Sequence, residues 1–289
     1  MTATETIVTD GIRKGPIRRS VNGAINVKGS IHDDATATRL GLRGGTVAGS
    51  VHMDLFGPLL LETFGERWWE TGNLSLYFAN ATTDREPVQA SLQMPLGDAA
   101  DSQVQAWVDR EDGMRVAEGS AAVGRPTEPS ALLGKPLREV APSELRILAN
   151  LYPGMPLEAQ TAVYLSEKFE PHMSRITEPM EMHRNSRWGG PVVPLAGYVN
   201  VFHGQALSEL RAKITGVVGL FGAIEIRNVN GPLLVGAEYQ VGGEVVSLGQ
   251  SPKTEYFWYE AWADDASGKR IAEQRMQLRF MKASSSLYA

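Results

Sequence analysis

The chain has 289 residues, a length that suits two compact domains or one fused pseudo-dimer. Its hydrophobic content of 43% and charged content of 21% are those of a soluble globular protein, and a formal charge of −5 disfavours nucleic acid as a partner. The absence of cysteine removes disulfides, thiolate nucleophiles and Cys-ligated zinc together.

The first residues carry Thr, Glu and Asp with no apolar run after a basic stretch, so no secretory signal is expected. No segment reaches the apolar length of a membrane span. The expectation is a cytoplasmic protein without nucleic-acid or membrane partners.

In chain order, a polar arm covers about residues 1–20, followed by an extended piece and the loop Gly29-Ser30-Ile31-His32-Asp33-Asp34. Residues 46–64 are predicted as a helix that is apolar around most of its circumference, hence buried on nearly all sides, with Pro58 as a potential kink. Alternating stretches then read as strands over 74–82, 87–94, 102–110 and 114–123, the last two joined at a turn of Glu111, Asp112 and Gly113. Residues 125–158 hold Pro126, Pro129, Pro136, Pro142, Pro153 and Pro156 and read as a linker, with short helical turns expected near 143–151. The second half repeats the order: a strand region at 157–170, a loop at 177–190, a helix over 192–212, and strands over 221–229, 233–248, 254–265 and 269–281.

The repetition extends to residues. Trp107, Asp109, Gly113, Arg115, Ala117 and Glu118 recur at one constant offset as Trp262, Asp264, Gly268, Arg270, Ala272 and Glu273. Gly44-Gly45 before the first helix is answered by Gly189-Gly190 before the second. The chain therefore reads as a duplication. Its halves are expected at 1–124 and 159–289, their sheets joined into one long curved antiparallel sheet around two central helices, an α+β architecture.

A long helix held in an antiparallel sheet, in tandem, resembles the double hot-dog fold. The segment from Ile31 to Phe56 resembles the MaoC-like (R)-specific enoyl-CoA hydratase family through His32, Asp33, Asp34, Ala37, Gly41, Gly44, Gly45 and Gly49. The family signature also places an aspartate five residues before the histidine, with asparagine and proline between. Here Val27, Gly29 and Ser30 stand at those positions. Aligning the double glycines sets Thr177 opposite His32 and Glu178 opposite Asp33, so the first half is expected to be active and the second degenerate. The resemblance implies a lyase of hydratase or dehydratase type, adding or removing water or a small group at an activated double bond of an acyl thioester or related carbonyl compound.

The residues themselves offer matching chemistry. His32 exchanges a proton near neutral pH, and Asp33 beside it could orient it or activate water. Asp33 or Asp34 could equally cap the segment that follows. The double glycines recur in both halves and so favour packing. The amides of Ala48 and Gly49 are then the candidates to hold a developing oxyanion. Lys28, Arg39 and Arg43 are candidates for coenzyme A phosphates.

His52 is expected as a hydrogen-bonded core residue and Asp54 as exposed. Asp54 or Glu62 would serve a thioesterase, the alternative reading. A third reading is a non-catalytic small-ligand-binding protein. Among Glu178, Glu181, His183, Tyr198 and His203 near the second helix, His183 and Tyr198 are taken as substrate-contact candidates. No metal or cofactor is implied, and a monomer or homodimer is expected.

Overall fold

The computed structural model describes residues 6–97, 100–206, 210 and 213–289. The first half contributes β1 (Ile7–Thr9), β2 (Ile12–Lys14), β3 (Arg18–Arg19), α1 (Asp34–Arg39), a 3-10 helix (Gly49–Phe56), α2 (Gly57–Phe64), α3 (Arg67–Thr71), β4 (Gly72–Phe78), β5 (Pro87–Gln93), β6 (Ser102–Arg110) and β7 (Arg115–Val123). The second half contributes β8 (Pro156–Val163), α4 (Ser166–Met173), α5 (Leu195–Ala206), β9 (Gly219–Asn228), β10 (Glu238–Gln250), β11 (Thr254–Asp264) and β12 (Arg270–Met281).

The strands form one antiparallel sheet in the order β1-β2-β5-β6-β7-β4-β9-β12-β11-β10-β8, with β3 also pairing β5. The order 5-6-7-4 meets its mirror 9-12-11-10 where β4 pairs β9, with Ser75 opposite Glu225 and Leu76 opposite Ile224. The two halves thus join edge to edge, as the duplication predicts. This is the double hot-dog architecture. At the join the buried carboxylate of Glu225 accepts hydrogen bonds from Asn73 Nδ2 at 2.6 Å, Ser75 Oγ at 2.9 Å and Ser130 Oγ at 2.6 Å. Three donors satisfy a charge that would otherwise be costly to bury.

Strand alternation sets the core. In β6, Val104, Ala106 and Val108 turn inward to pack under the first helical layer. The repeated Trp-to-Glu block is a property of the fold. Arg115 bonds Asp109 and Glu118 and lies over the Trp107 ring, while Arg270 bonds Asp264 and Glu273 and lies over the Trp262 ring. Gly113 and Gly268 take φ of 82° and 81° at the two hairpin turns, a conformation that favours glycine.

The central helices differ from expectation in detail. The run over 46–64 is a 3-10 helix followed by α2, with Pro58 in the first turn of α2, where its missing N–H costs nothing. The expected helix over 192–212 starts at Leu195 and is helical through Ala206; residues 207–209 and 211–212 lie outside the described residues. The loop before the first helix contains α1. The stretch expected as strand over 157–170 turns into α4 after Val163. The proline-rich connection is packed: Leu132, Leu145, Ile147, Leu148 and Leu151 are buried, and Glu255 accepts the amides of residues 146 to 148. No helix among the described residues is long and apolar enough to cross a membrane.

Candidate active site

A 3-10 helix has about three residues per turn, so positions three apart share a face. Gly49 and His52 therefore look one way, and Val51 and Asp54 another. The two faces line different cavities. The larger, of about 480 Å³, is walled by His32, Ala48, Gly49, His52 and Phe78 from the first half and by His203, Phe221, Leu278 and Phe280 from the second.

His32 Nδ1 lies 2.7 Å from the Thr46 carbonyl oxygen. A carbonyl only accepts, so in the neutral ring Nδ1 carries the proton and Nε2 keeps its lone pair. Gly45 makes this position attainable, since a Cβ there would stand 2.3 Å from the His32 carbonyl oxygen. The amides of Ala48 and Gly49 open the 3-10 helix, where the first N–H groups have no partner within the helix. Gly49 is also pressed against Phe78, whose ring would be 2.8 Å from an added Cβ.

Asp33 is engaged elsewhere. Its buried carboxylate accepts from Thr36 Oγ1 at 2.8 Å and Lys28 Nζ at 3.1 Å, and these bonds, Thr36 first, hold its carboxyl below the usual range. It does not line the cavity. Asp34 accepts the Gly45 amide at 2.6 Å. The two aspartates build the loop around His32 and form no dyad with it. Arg43 is likewise occupied, forking onto Glu86 at 2.8 and 2.7 Å, while Arg39 is exposed at the end of α1.

His52 is buried, with Nε2 at 2.8 Å from Thr82 Oγ1 and Nδ1 without a partner. Burial depresses its pKa to about 4, so the ring is neutral at pH 7. His203, on the last described turn of α5, places Nδ1 at 3.3 Å from Tyr259 Oη and its ring edge-on to Phe221.

The backbone bonds define how the halves correspond. Val47 N–H reaches the Thr82 carbonyl as Val193 N–H reaches that of Leu233, and Thr46 N–H reaches Ile31 as Val192 N–H reaches Met182. The counterpart of His32 is therefore His183, not Thr177. Alignment on the glycines failed because the first loop carries α1 and the second is shorter. Glu178 stands five residues before His183, the acid-to-histidine spacing of the family signature, and this was the signal overlooked. Its carboxylate, raised in pKa by burial, goes to Arg18. His183 is buried, its Nδ1 accepts the Met180 amide at 3.3 Å, and burial lowers its pKa to about 4.

By the same correspondence Pro194 replaces Ala48, Ala196 replaces Ser50 and Tyr198 replaces His52. Pro194 has no N–H. The Ala196 amide is taken by Asp54 Oδ1 at 2.8 Å. Asp54, expected on the surface, is buried at 6% exposure, and its other oxygen accepts from His172 Nε2 at 2.7 Å. His172 Nδ1 in turn accepts from the Tyr164 hydroxyl at 2.9 Å. Tyr198 donates to Asn228 Oδ1 at 2.9 Å and accepts the Leu233 amide at 3.1 Å within the core. His183 and Tyr198 thus stand away from the large cavity. Glu62 is on the surface beside Arg13. Among the described residues, no group of three or more His, Asp or Glu side chains is arranged to hold a metal ion.

In sequence, no protein-family model and no curated protein matches the chain. In structure it is similar along nearly its whole length to double hot-dog proteins. A Chloroflexus aurantiacus protein designated a MaoC-domain dehydratase aligns with TM-score 0.63 at 12% identity, covering 97% of this chain and 96% of that one. A Mycobacterium tuberculosis protein described as having a double hot-dog fold gives 0.60 at 12% identity, covering 97% of each chain. The dehydratase domain of PpsC from Mycobacterium tuberculosis, solved with C12:1-CoA, gives 0.53 at 13% identity over 96% and 97%. The chain shares the double hot-dog fold with these proteins.

Proposed function

We propose that the protein is a MaoC-like hydro-lyase that adds water to, or removes it from, an acyl thioester at the carbon–carbon double bond conjugated with the carbonyl. One observation carries this reading: among the described residues, it is at the first helix start that a histidine of fixed tautomer and the helix-start amides of Ala48 and Gly49 meet the same apolar cavity. At the second start, Pro194 lacks the amide and Asp54 takes that of Ala196, two residues further on. Residues 1–124 then supply the chemistry, 125–158 the connection, and 159–289 the far wall.

In hydration, His32 Nε2 takes a proton from water as its oxygen bonds to the β-carbon. Electron density moves onto the thioester oxygen, which accepts from the Ala48 and Gly49 amides. The proton on His32 then passes to the α-carbon as the carbonyl re-forms, and the base is regenerated. Asp33 supports the loop and takes no proton.

A thioester of coenzyme A is supported as substrate by the C12:1-CoA complex of the PpsC domain. The thioesterase reading is disfavoured because, among the described residues, no carboxylate lines the cavity. A fused pair of halves already satisfies the sheet pairing, so we take the protein to be a monomer or homodimer.

The test is a panel of trans-2-enoyl-CoA substrates followed by loss of enoyl absorbance and by free-thiol release. The expected result is water addition without thiol release, reduced about 10²–10⁴-fold in His32→Ala at unchanged melting temperature. Thiol release would move the assignment to a thioesterase, and tight binding without turnover to a ligand carrier. Near-normal turnover by a folded His32→Ala variant would remove His32 from the mechanism.

A further inference from the structure

In a duplicated fold each half shows how the other can be completed. By the correspondence above, Ser50 answers Ala196, and Asn200 answers Asp54 four residues further on. At the second helix start the Asp54 carboxylate accepts the Ala196 amide at 2.8 Å. At the first, Asn200 carries no charge, is exposed on α5, and turns its Nδ2 to the Ala196 carbonyl at 3.5 Å. Among the described residues no carboxylate reaches the Ser50 amide, which lies in the first turn of the 3-10 helix and has no partner within it.

The Ser50 side chain points the same way. It is 8% exposed, and its hydroxyl has no hydrogen-bond partner. Unlike Nδ1 of His52, that oxygen is not sealed from its surroundings. Ser50 lines the second cavity, of about 380 Å³, which does not touch His32 or His52. Val21, Val51 and Ile176 give this cavity apolar wall, and two cations adjoin it. Lys168 precedes His172 by one turn of α4 and shares its face. The Arg175 guanidinium lies against Gly23, where an added Cβ would stand 3.2 Å from Cζ. Burial and the Asp54 charge push the Tyr164 hydroxyl up in pKa, and the charge of Arg175 opposes them, so the guanidinium acts on the cavity wall. Neither Lys168 nor Arg175 has a carboxylate within ion-pair distance among the described residues. Asp54 lines the same cavity, but both of its oxygens are engaged, by Ala196 and by His172.

We infer that this second cavity binds a short-chain carboxylic acid, its carboxylate held by the hydroxyl and amide of Ser50 and by Arg175, as the Asp54 carboxylate is held at Ala196. A helix start favours an anion, and the guanidinium fork matches a carboxylate. The apolar wall receives the hydrocarbon part. The site stands on the other side of the 3-10 helix from His32 and does not depend on the reaction proposed there.

The probe is butyrate, with butyramide as its neutral counterpart, titrated into the full chain by calorimetry. The wild type is expected to bind butyrate saturably, about tenfold or more tightly than butyramide, as for a charge-assisted hydrogen bond. Asn200→Asp gives the first start the acid that the second one has, and should abolish butyrate binding. Arg175→Gln and Ser50→Ala should each weaken butyrate by about threefold or more and leave butyramide unchanged. Arg175 and Asn200 are exposed, so these two variants should melt as the wild type does. His32→Ala should bind butyrate normally. Absent or equal binding of butyrate and butyramide, or a preference that persists in both Arg175→Gln and Asn200→Asp, overturns the site. A preference lost in His32→Ala and kept in Asn200→Asp also overturns it, by moving the acid to the larger cavity.

Discussion

Asp54 offers the sharpest test of how the halves are joined. It leaves the first-half 3-10 helix, accepts the Ala196 amide at 2.8 Å at the start of α5, and accepts His172 Nε2 at 2.7 Å. Asp54→Ala would leave both donors without an acceptor in a buried place. Each such loss costs about 1–3 kcal/mol, so the variant should lose roughly 3–5 kcal/mol. For a chain of this size that corresponds to a fall in melting temperature of roughly 6–20 °C.

Asp54→Asn should cost about half as much as the alanine variant, because its carbonyl can still receive Ala196 while His172 shifts tautomer. Urea unfolding of the three proteins, fitted with a common slope, measures the order wild type, Asn, Ala. An alanine variant within about 1 kcal/mol of wild type would refute the strut and the claim that the second helix start is filled. A stable Asp54→Asn variant that had lost a thioesterase activity of the wild type would instead make Asp54 a hydrolytic group.

Gly45→Ala should fail to fold or unfold at much lower temperature, because its Cβ would meet the His32 carbonyl oxygen at 2.3 Å, whereas Gly190→Ala meets nothing within 4 Å and should be tolerated. Circular dichroism melts check the pair. Gly49→Ala should displace the Phe78 ring and cost about 1–3 kcal/mol, with weaker ligand binding, read by thermal shift with and without coenzyme A. His52 and His183 have folded pKa values of about 4 against an ordinary 6.5, so the unfolded chain binds more protons between these limits. Their contribution is complete above about pH 6.5 and is lost as pH falls toward 4, about 3 kcal/mol for each. Urea midpoints across that range should fall steeply, and less so in His52→Gln. Light scattering should give a monomer or homodimer, and a particle of six or more copies would contradict the fused-pair argument.

Much of the fold was legible because it rests on local chemistry. Period-two alternation marks β6 over its full observed length, and the repeated Trp-Asp-Gly-Arg-Glu block marks the same hairpin twice, since glycine at the turn and arginine over tryptophan are both local requirements. The duplication itself implied the joined sheet. The sequence also pointed to His32 and to the Ala48–Gly49 start, both of which line the large cavity.

What only tertiary structure decided are the contacts made across long separations. Which residue opposes His32 depended on loop length, which an insertion such as α1 changes without altering any motif. Asp33 reads as a natural partner for its neighbour His32, yet the backbone turns its carboxylate to Lys28 and Thr36. Asp54 reads as exposed under a 3.6-residue period, but a 3-10 helix and the packing of α5 against it bury the carboxylate between halves. The bonds of Asp54 to Ala196 and His172 join residues far apart in the chain, and no pattern within either segment encodes a partner that only folding brings near.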